Sequence, residues 1–249
     1  IHSNPGDVLG YVNLVNRLGA DQPCFGFESL GLKAPSKAHK TVEEMAKYYI
    51  EEMISFQPEP PYYLAGWCYG GIVASEMAYQ MQEMGKQVGM LVLIETPFPR
   101  MANVRASYYF KKLLGLAKLG PKGWISYIQN KFKYLKKIKS GAIDSAFSLE
   151  FDSGVLSNRP EVYRLNTQAM THYYLKGFLS CPIRIFVGDV LEEGFIPDIE
   201  NLWSKMSQDV QRYVAPGSHL NILKEPGANI LAKQMRICLD EAYKVESNL

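Results

Sequence analysis

The sequence predicts an α/β fold in which helices flank a mostly parallel sheet. Short apolar runs of strand length, such as residues 62–65 and 89–94, are followed by longer segments whose apolar residues recur with helical spacing. The second run is apolar throughout, as in strands that helices cover on both faces of a parallel sheet. The chain has 249 residues, 47% hydrophobic and 21% charged, which is ordinary for a soluble globular protein with one large domain or a core and a subdomain.

Residues 61–81 form the centre of the predicted fold, because a strand, a tight turn and a helix follow one another there without a break. Gly66 and Gly70 stand on either side of Cys68 in the pattern G-x-C-x-G. Strand and helix backbones approach closely at such a turn, so a Cβ at either glycine would clash. The central residue is forced into a strained conformation that lifts its side chain above the sheet. The pattern predicts a nucleophile at Cys68, and a buried structural cysteine is the alternative.

Weaker signals predict the elements on the N-terminal side. Residues 1–19 are expected to contain the end of a strand, a loop and a helix, and residues 23–27 a short strand with Cys24 in the core. Thr41 and Glu44 have the spacing of a capping box, in which side chains satisfy the free N–H groups at the start of a helix. A helix is therefore predicted to begin after Thr41.

Two acidic residues follow the predicted strands on the C-terminal side. Glu95 comes directly after the second apolar run, and Asp189 ends a further strand predicted at residues 182–189. An acid at the carboxyl end of a strand lies on the edge of an open α/β sheet where ligands bind. The last predicted strand, residues 210–214, leads into a glycine-containing loop with His219.

Several bulk properties exclude classes of protein. No run of 18 apolar residues exists, so no membrane span is expected, and the first residues lack the charged and apolar regions of a signal peptide. The chain lacks an initiator Met, which favours a domain excised from a longer chain. Four scattered cysteines without CxxC or metal spacing predict reduced thiols, a cytoplasmic setting and no metal. Without a phosphate loop, no cofactor is expected in this domain.

Basic charge is concentrated in residues 100–143. This segment contains 11 of the 27 basic residues and no Asp or Glu, which leaves 16 basic against 25 acidic residues elsewhere. Apolar residues recur there with helical spacing from Ile125 to Ile138. Such an asymmetry indicates an acidic partner, although a solvated basic face or an amphipathic helix on a membrane surface would have the same pattern. Nucleic acid is not expected, because the rest of the chain is net acidic.

The tight turn and its flanks resemble a known family. Residues 64–78 read Leu-Ala-Gly-Trp-Cys-x-Gly-Gly-x-x-Ala-x-Glu-Met-Ala. This stretch resembles the elbow of thioesterase domains of the α/β-hydrolase superfamily, above all the terminal (type I) thioesterases of nonribosomal peptide and polyketide synthases, with Cys68 in place of the usual Ser. The likeness covers nearly the whole chain but is thin between 100 and 160. It implies an α/β-hydrolase fold with a core in residues 1–99 and 161–249 and a helical lid inserted at 100–160.

The resemblance also implies a catalytic triad. Cys68 takes the place of the nucleophile, and His219, in the loop after the final strand, that of the base. The acid of these thioesterases, usually Asp, stands at the position of Glu95. Many α/β hydrolases instead place it where Asp189 stands, so Asp189 is the rival, and a solvated strand-end glutamate is the other alternative. The acid fixes the histidine tautomer, and because Glu is one methylene longer than Asp, the histidine or its loop is expected to adjust.

Two N–H donors for the oxyanion of acyl transfer follow from the same resemblance. One is the backbone N–H of Tyr69, directly after the nucleophile. The other is expected from residues 2–6, where related thioesterases have their first oxyanion loop. Pro5 has no N–H, so Asn4 is the first choice and Ser3 the second. An ordinary turn between strand and helix is the alternative for this loop.

The implied function is chain release. The domain is expected to take an acyl, peptidyl or polyketide chain from the phosphopantetheine thioester of an upstream carrier protein, through an acyl-Cys68 intermediate, by cyclisation or hydrolysis. The carrier protein is expected to dock on the basic lid, residues 100–143. An acyl-Cys keeps the reactivity of a thioester, which favours cyclising or aminolytic release over hydrolysis.

Two other classes of protein fit the sequence. A free-standing editing thioesterase or other acyl hydrolase would need no covalently attached carrier. A non-catalytic binding protein with the α/β-hydrolase fold would leave Cys68 inert, and slow alkylation of this thiol would identify it. Cys68 could also be an engineered replacement of Ser.

Overall fold

The computed structural model describes residues 1–99, 157–190 and 199–246, and in these segments one sheet contains four strands. The strands stand side by side in chain order, and each neighbouring pair is parallel. Their carboxyl ends therefore lie at the same edge of the sheet. The strands are β1 (Tyr62–Trp67), β2 (Val88–Ile94), β3 (Ile183–Gly188) and β4 (Val210–Ala215).

Helices cover both faces of this sheet. In the described segments they are α1 (Val12–Leu18), α2 (Val42–Phe56), α3 (Tyr69–Glu83), α4 (Arg159–His172), α5 (Ile199–Trp203) and α6 (Gly227–Glu246), with 3₁₀ turns at Leu9–Tyr11, Leu30–Leu32 and Pro35–Lys37. Leu91 and Leu93 in β2 belong to an apolar core shared with α2 and α3. Met90 and Val92, which alternate with them, belong to a second core shared with α1 and α6. The strand is thus buried on both faces, and the architecture fits the predicted α/β-hydrolase fold.

The start of α2 confirms the predicted helix cap. The Thr41 hydroxyl accepts a hydrogen bond of 3.1 Å from the Glu44 N–H. The Glu44 carboxylate reaches back and accepts one of 3.1 Å from the Lys40 N–H. The first bond satisfies a backbone donor in the first turn of the helix, and the second holds the residue before the cap.

Residues 23–27 do not form the predicted strand. They have no regular secondary structure, and a backbone hydrogen bond of 3.1 Å from the His2 N–H to the Phe27 carbonyl joins them to the chain start. Cys24 is exposed rather than part of the core, and Phe25 is 65% exposed. The prediction was wrong because a short apolar run becomes a strand only where a second backbone pairs with it along its length.

The predicted lid, residues 100–160, lies outside the described residues except for its last four. Of these, Arg159 begins α4, which ends at His172. The basic segment 100–143 lies wholly outside the described part of the chain. No helix of the described segments has the length and apolar character needed to cross a bilayer, and no three of their His, Cys, Asp and Glu side chains are grouped to hold a metal ion.

Candidate active site

Cys68 occupies the tight turn between β1 and α3. Its φ of 55° and ψ of −120° lie where residues with a side chain are rarely found, so the turn holds a strained backbone. A Cβ at Gly66 would overlap the backbone of Gly70. A Cβ at Gly70 would lie 2.5 and 2.6 Å from the carbonyl oxygens of Ile1 and His2. Both glycines therefore allow close approaches that no larger residue permits.

Replacing Gly66 with Ala is expected to lower the free energy of unfolding by about 3 kcal/mol or more, because the added methyl group meets backbone rather than a movable side chain. Gly85→Ala is the matched control. Gly85 has a φ of +68° but nothing within 4 Å of an added Cβ, so backbone strain alone should cost about 1 kcal/mol. Urea unfolding of both variants measures the difference, and equal losses would show that the close contact at the turn does not limit stability.

His219 lies between Cys68 and Glu95 at the carboxyl edge of the sheet. Its imidazole hydrogen-bonds with the Cys68 side chain. Its Nδ1 atom lies 3.4 Å from Oε2 of Glu95, and both side chains are largely buried, with 17% of His219 and 6% of Glu95 exposed. The ring also packs near the indole of Trp67, with centroids 5.9 Å apart. The structure thus brings together three side chains that the sequence places after three different strands.

The surroundings of His219 favour its protonated form. Burial by itself lowers the pKa of the imidazole, because a charged ring loses contact with water. Interactions with the Cys68 side chain and the Glu95 carboxylate outweigh burial and raise the pKa of His219 to about 10. An imidazolium therefore persists beside the sulfur at neutral pH. Such a cation is the usual means by which proteins activate a cysteine as a nucleophile.

Glu95 rather than Asp189 is the carboxylate beside His219. One oxygen of Glu95 accepts a hydrogen bond from the Gly188 N–H, and the other faces the imidazole. Its backbone has a φ of 46°, a second strained residue at this edge of the sheet. Asp189 is exposed, and its carboxylate accepts a hydrogen bond of 2.8 Å from the Gly217 N–H. Asp189 therefore contacts the backbone of the loop that carries His219.

The N-terminal loop, residues 2–6, lies against the start of α3, where Tyr69 is the first helical residue. Asn4 in this loop is 7% exposed, and its carbonyl accepts a hydrogen bond of 2.9 Å from the side chain of Asn166 on α4. Free N–H groups at a helix start favour negative charge. The two predicted oxyanion donors, Tyr69 and Asn4, thus belong to segments in contact with each other.

Sequence reasoning missed two residues that hold the N-terminal loop. Asn166 stands 162 residues from Asn4 along the chain, and no local pattern marks such a pair. His2 is fully buried, with Nδ1 2.8 Å from the Ser3 carbonyl and Nε2 2.8 Å from the Tyr49 hydroxyl. The sequence did mark His2 in one respect, because it lies within residues 2–6, the loop expected to bind the oxyanion.

Comparison with known proteins identifies a family for this chain. A family model described as "Thioesterase domain" matches residues 2–237. A curated relative, the dimodular nonribosomal peptide synthase of Bacillus subtilis, is 26% identical over 247 residues. The match covers 98% of this chain but 10% of that protein, so the chain spans about a tenth of the length of this relative.

Two solved structures share the fold. The thioesterase domain of NocB from the nocardicin cluster superposes with a TM-score of 0.68 at 21% identity, over 96% of this chain and 91% of that one. A four-domain nonribosomal peptide synthetase bound to AMP and glycine gives a TM-score of 0.67 at 24% identity, over 94% of this chain and 18% of that one. At these identities the likeness is one of fold.

Proposed function

The chain belongs to the thioesterase domain family, and on that basis we propose that it releases an acyl, peptidyl or polyketide chain from the phosphopantetheine thioester of a carrier protein through an acyl-Cys68 intermediate. The observation that carries the proposal is the contact of His219 with both Cys68 and Glu95. The similarity to nonribosomal peptide synthases supports a substrate that arrives on a carrier domain of a longer protein.

In the first proposed step the Cys68 sulfur attacks the thioester carbonyl. The bond from the carbonyl carbon to Cys68 forms, the bond to the phosphopantetheine sulfur breaks, and the leaving thiolate takes a proton from the His219 imidazolium. Glu95 fixes the ring from its Nδ1 side. The N–H groups of Tyr69 and Asn4 stabilise the oxyanion that forms between bond making and bond breaking.

In the second proposed step His219, now neutral, takes a proton from the incoming nucleophile. That nucleophile is water, or an amine or hydroxyl of the bound chain. Its bond to the carbonyl carbon forms as the bond to Cys68 breaks, and Cys68 leaves as a thiolate beside the regenerated imidazolium. Water gives a free acid, and an internal nucleophile gives a ring. Side chains and backbone N–H groups of the domain carry both steps, with phosphopantetheine as part of the substrate.

The sulfur of Cys68 supports cyclising or aminolytic release. An acyl-Cys is itself a thioester, so loading it from a thioester preserves the activation of the acyl group. An acyl-Ser is an oxygen ester, and forming it would dissipate part of that free energy in the first step. The acyl-Cys thus holds more free energy for a demanding second step, such as closing a strained ring or forming an amide.

Intact-protein mass spectrometry with one acyl group supplied in two forms tests the proposal. The chain is mixed with an acyl-N-acetylcysteamine thioester and, separately, with the same acyl group on a phosphopantetheinylated carrier protein. We expect a mass increase of one acyl group that decays to a free acid or a ring. Loading from the carrier that is faster at low salt than at high salt would support docking on the basic segment 100–143.

Two outcomes of this experiment would favour other functions. If the small thioester turns over and the carrier gives no advantage, the chain is an acyl hydrolase that acts without a carrier. If neither form gives an adduct or a product, and iodoacetamide alkylates Cys68 slowly, the proposal fails and a binding protein with an inert thiol is favoured.

Replacing Glu95 with Gln is expected to lower kcat/KM by about 10²-fold, because a neutral amide stabilises the His219 imidazolium less than a carboxylate does. The matched control is Asp189→Asn. This change keeps an oxygen that accepts the Gly217 N–H, so kcat/KM should stay within about threefold of the wild type. Steady-state kinetics on a small thioester measures both variants. A larger loss for Asp189→Asn than for Glu95→Gln would identify Asp189 as the acid.

A further inference from the structure

His2 is a fully buried histidine whose two ring nitrogens both have partners. Burial lowers the pKa of His2 to about 4, so the ring is neutral at neutral pH. The Ser3 carbonyl can only accept a hydrogen bond, so Nδ1, 2.8 Å away, carries the ring proton. Nε2 is then an acceptor for the Tyr49 hydroxyl at 2.8 Å, closer than the Glu28 carbonyl, which the same hydroxyl faces at 3.3 Å. The tautomer is therefore fixed, and the ring is held from both sides.

The Ser3 carbonyl is held by two donors. His2 Nδ1–H donates to it from one side, and the Gly6 N–H donates to it across the turn at 2.9 Å. This carbonyl and the Asn4 N–H belong to the same planar peptide unit, and in a trans peptide they point in opposite directions. Fixing the direction of the Ser3 carbonyl therefore fixes the direction of the Asn4 N–H.

The Asn4 N–H has no acceptor in the described part of the chain. Buried N–H groups without a partner are rare, because leaving one unpaired costs free energy. The other peptide unit of Asn4 is also held, since its carbonyl accepts from Asn166. Asn4 is 7% exposed, and an unpaired donor fixed in direction is what an oxyanion site needs, because such a donor does not reorganise during the reaction.

We propose that His2 is a positioning residue that aims the Asn4 N–H at the oxyanion through the Ser3–Asn4 peptide unit. The proposal rests on the acyl transfer proposed above. His2 does not touch the substrate in this arrangement. Its effect passes through one hydrogen bond from Nδ1, and the bond at Nε2 keeps the ring in place.

Two reactions of the Cys68 sulfur distinguish a positioning role of His2 from a general effect of its replacement on the fold. Acylation by a thioester passes through an oxyanion, whereas alkylation by iodoacetamide reports the reactivity of Cys68 without one. His2→Ala is expected to slow acylation in a single turnover about 10- to 100-fold, which is less than the loss of a whole donor because Gly6 still holds the Ser3 carbonyl. Alkylation should stay within about twofold.

Two conservative variants identify which nitrogen matters. His2→Asn places an amide N–H close to the position of Nδ1 and should restore acylation to within about fivefold of the wild type. His2→Gln places its amide near the position of Nε2, where it meets Tyr49, and should behave like His2→Ala. His172→Ala is the control, because this exposed histidine on α4 bonds to the Gln168 carbonyl of its own helix.

Three results would overturn the proposal. The first is equal acylation by wild type and His2→Ala, and the second is recovery in His2→Gln as good as in His2→Asn. The third is a fall in alkylation parallel to the fall in acylation, which would mean that Cys68 and His219 are disturbed. If His2→Ala does not fold, the acylation rates of His2→Asn and His2→Gln are compared with each other, and the proposal requires the faster rate in His2→Asn. Failure of the wild type itself to form an acyl-enzyme would instead count against the proposed function.

Discussion

Replacing Cys68 with Ala is expected to lower kcat/KM for a thioester by at least about 10⁴-fold and to abolish the acyl adduct. The reason is that every proposed bond change passes through this sulfur, and the methyl group of Ala leaves water as the only nucleophile. The elbow should remain folded, because Ala is smaller than Cys and leaves Gly66 and Gly70 in place. Single-turnover kinetics together with intact-protein mass spectrometry measures both effects.

Two further variants sharpen this experiment. Cys24→Ser is the matched control, since Cys24 is an exposed thiol that takes part in none of the site contacts described above, and its adduct should equal that of the wild type. Cys68→Ser keeps a nucleophile but replaces the acyl thioester by an oxygen ester, so its acyl-enzyme should persist longer and give less ring than acid. An adduct of wild-type size and rate in Cys68→Ala would place the nucleophile elsewhere in the chain.

Replacing His219 with Gln is expected to lower kcat/KM by about 10³- to 10⁴-fold. Gln can still hydrogen-bond, but it neither donates a proton to the leaving thiolate nor accepts one from the second nucleophile. The variant should also lose the fast alkylation of Cys68 at neutral pH, because the cation beside the sulfur is gone. Stopped-flow kinetics with iodoacetamide and a thioester substrate measures both losses in one protein preparation.

The pH dependence of alkylation tests the same pair in the wild type. The pKa of His219 is raised from 6.5 to about 10, so its protonated form is lost only as the pH rises through about 10. Between pH 6 and pH 9 the imidazolium persists, and an ion pair between this cation and the Cys68 sulfur predicts an alkylation rate that changes by less than about threefold. In His219→Gln the rate should rise about tenfold per pH unit below pH 8, like that of an ordinary thiol. A wild-type profile of the ordinary kind would mean that no such ion pair exists.

The sequence predicted the features of this fold that depend on neighbouring residues. The strand at 89–94 could be recognised because helices cover it on both sides and its residues are apolar on both faces. The elbow could be recognised because close approach of strand and helix demands glycine at Gly66 and Gly70. The cap at Thr41 depends on residues three apart. The resemblance to thioesterase domains, first seen at the elbow, agrees with a family model that spans residues 2–237.

Other features depend on residues far apart in the chain and could not be predicted. The hydrogen bond from Asn166 to the Asn4 carbonyl joins residues of two distant segments, and neither segment has a sequence pattern that identifies the other as its partner. Residues 23–27 show the opposite error, because their local apolar character favours a strand but the fold supplies no backbone beside them. The lid at 100–160 and the docking of a carrier protein there stay predictions.

As the proposed nucleophile beside His219, Cys68 is also expected to react with oxidants. Peroxides react with the thiolate form of cysteine to give a sulfenic acid, which thiols reduce, and further oxidation is irreversible. Cys68 is half-buried rather than enclosed, whereas burial raises the pKa of the Cys181 thiol to about 12 and keeps that sulfur unreactive. A serine at the same elbow would be inert to peroxide. In the proposed mechanism, the same sulfur that preserves acyl activation therefore makes acyl transfer dependent on the redox state of its surroundings.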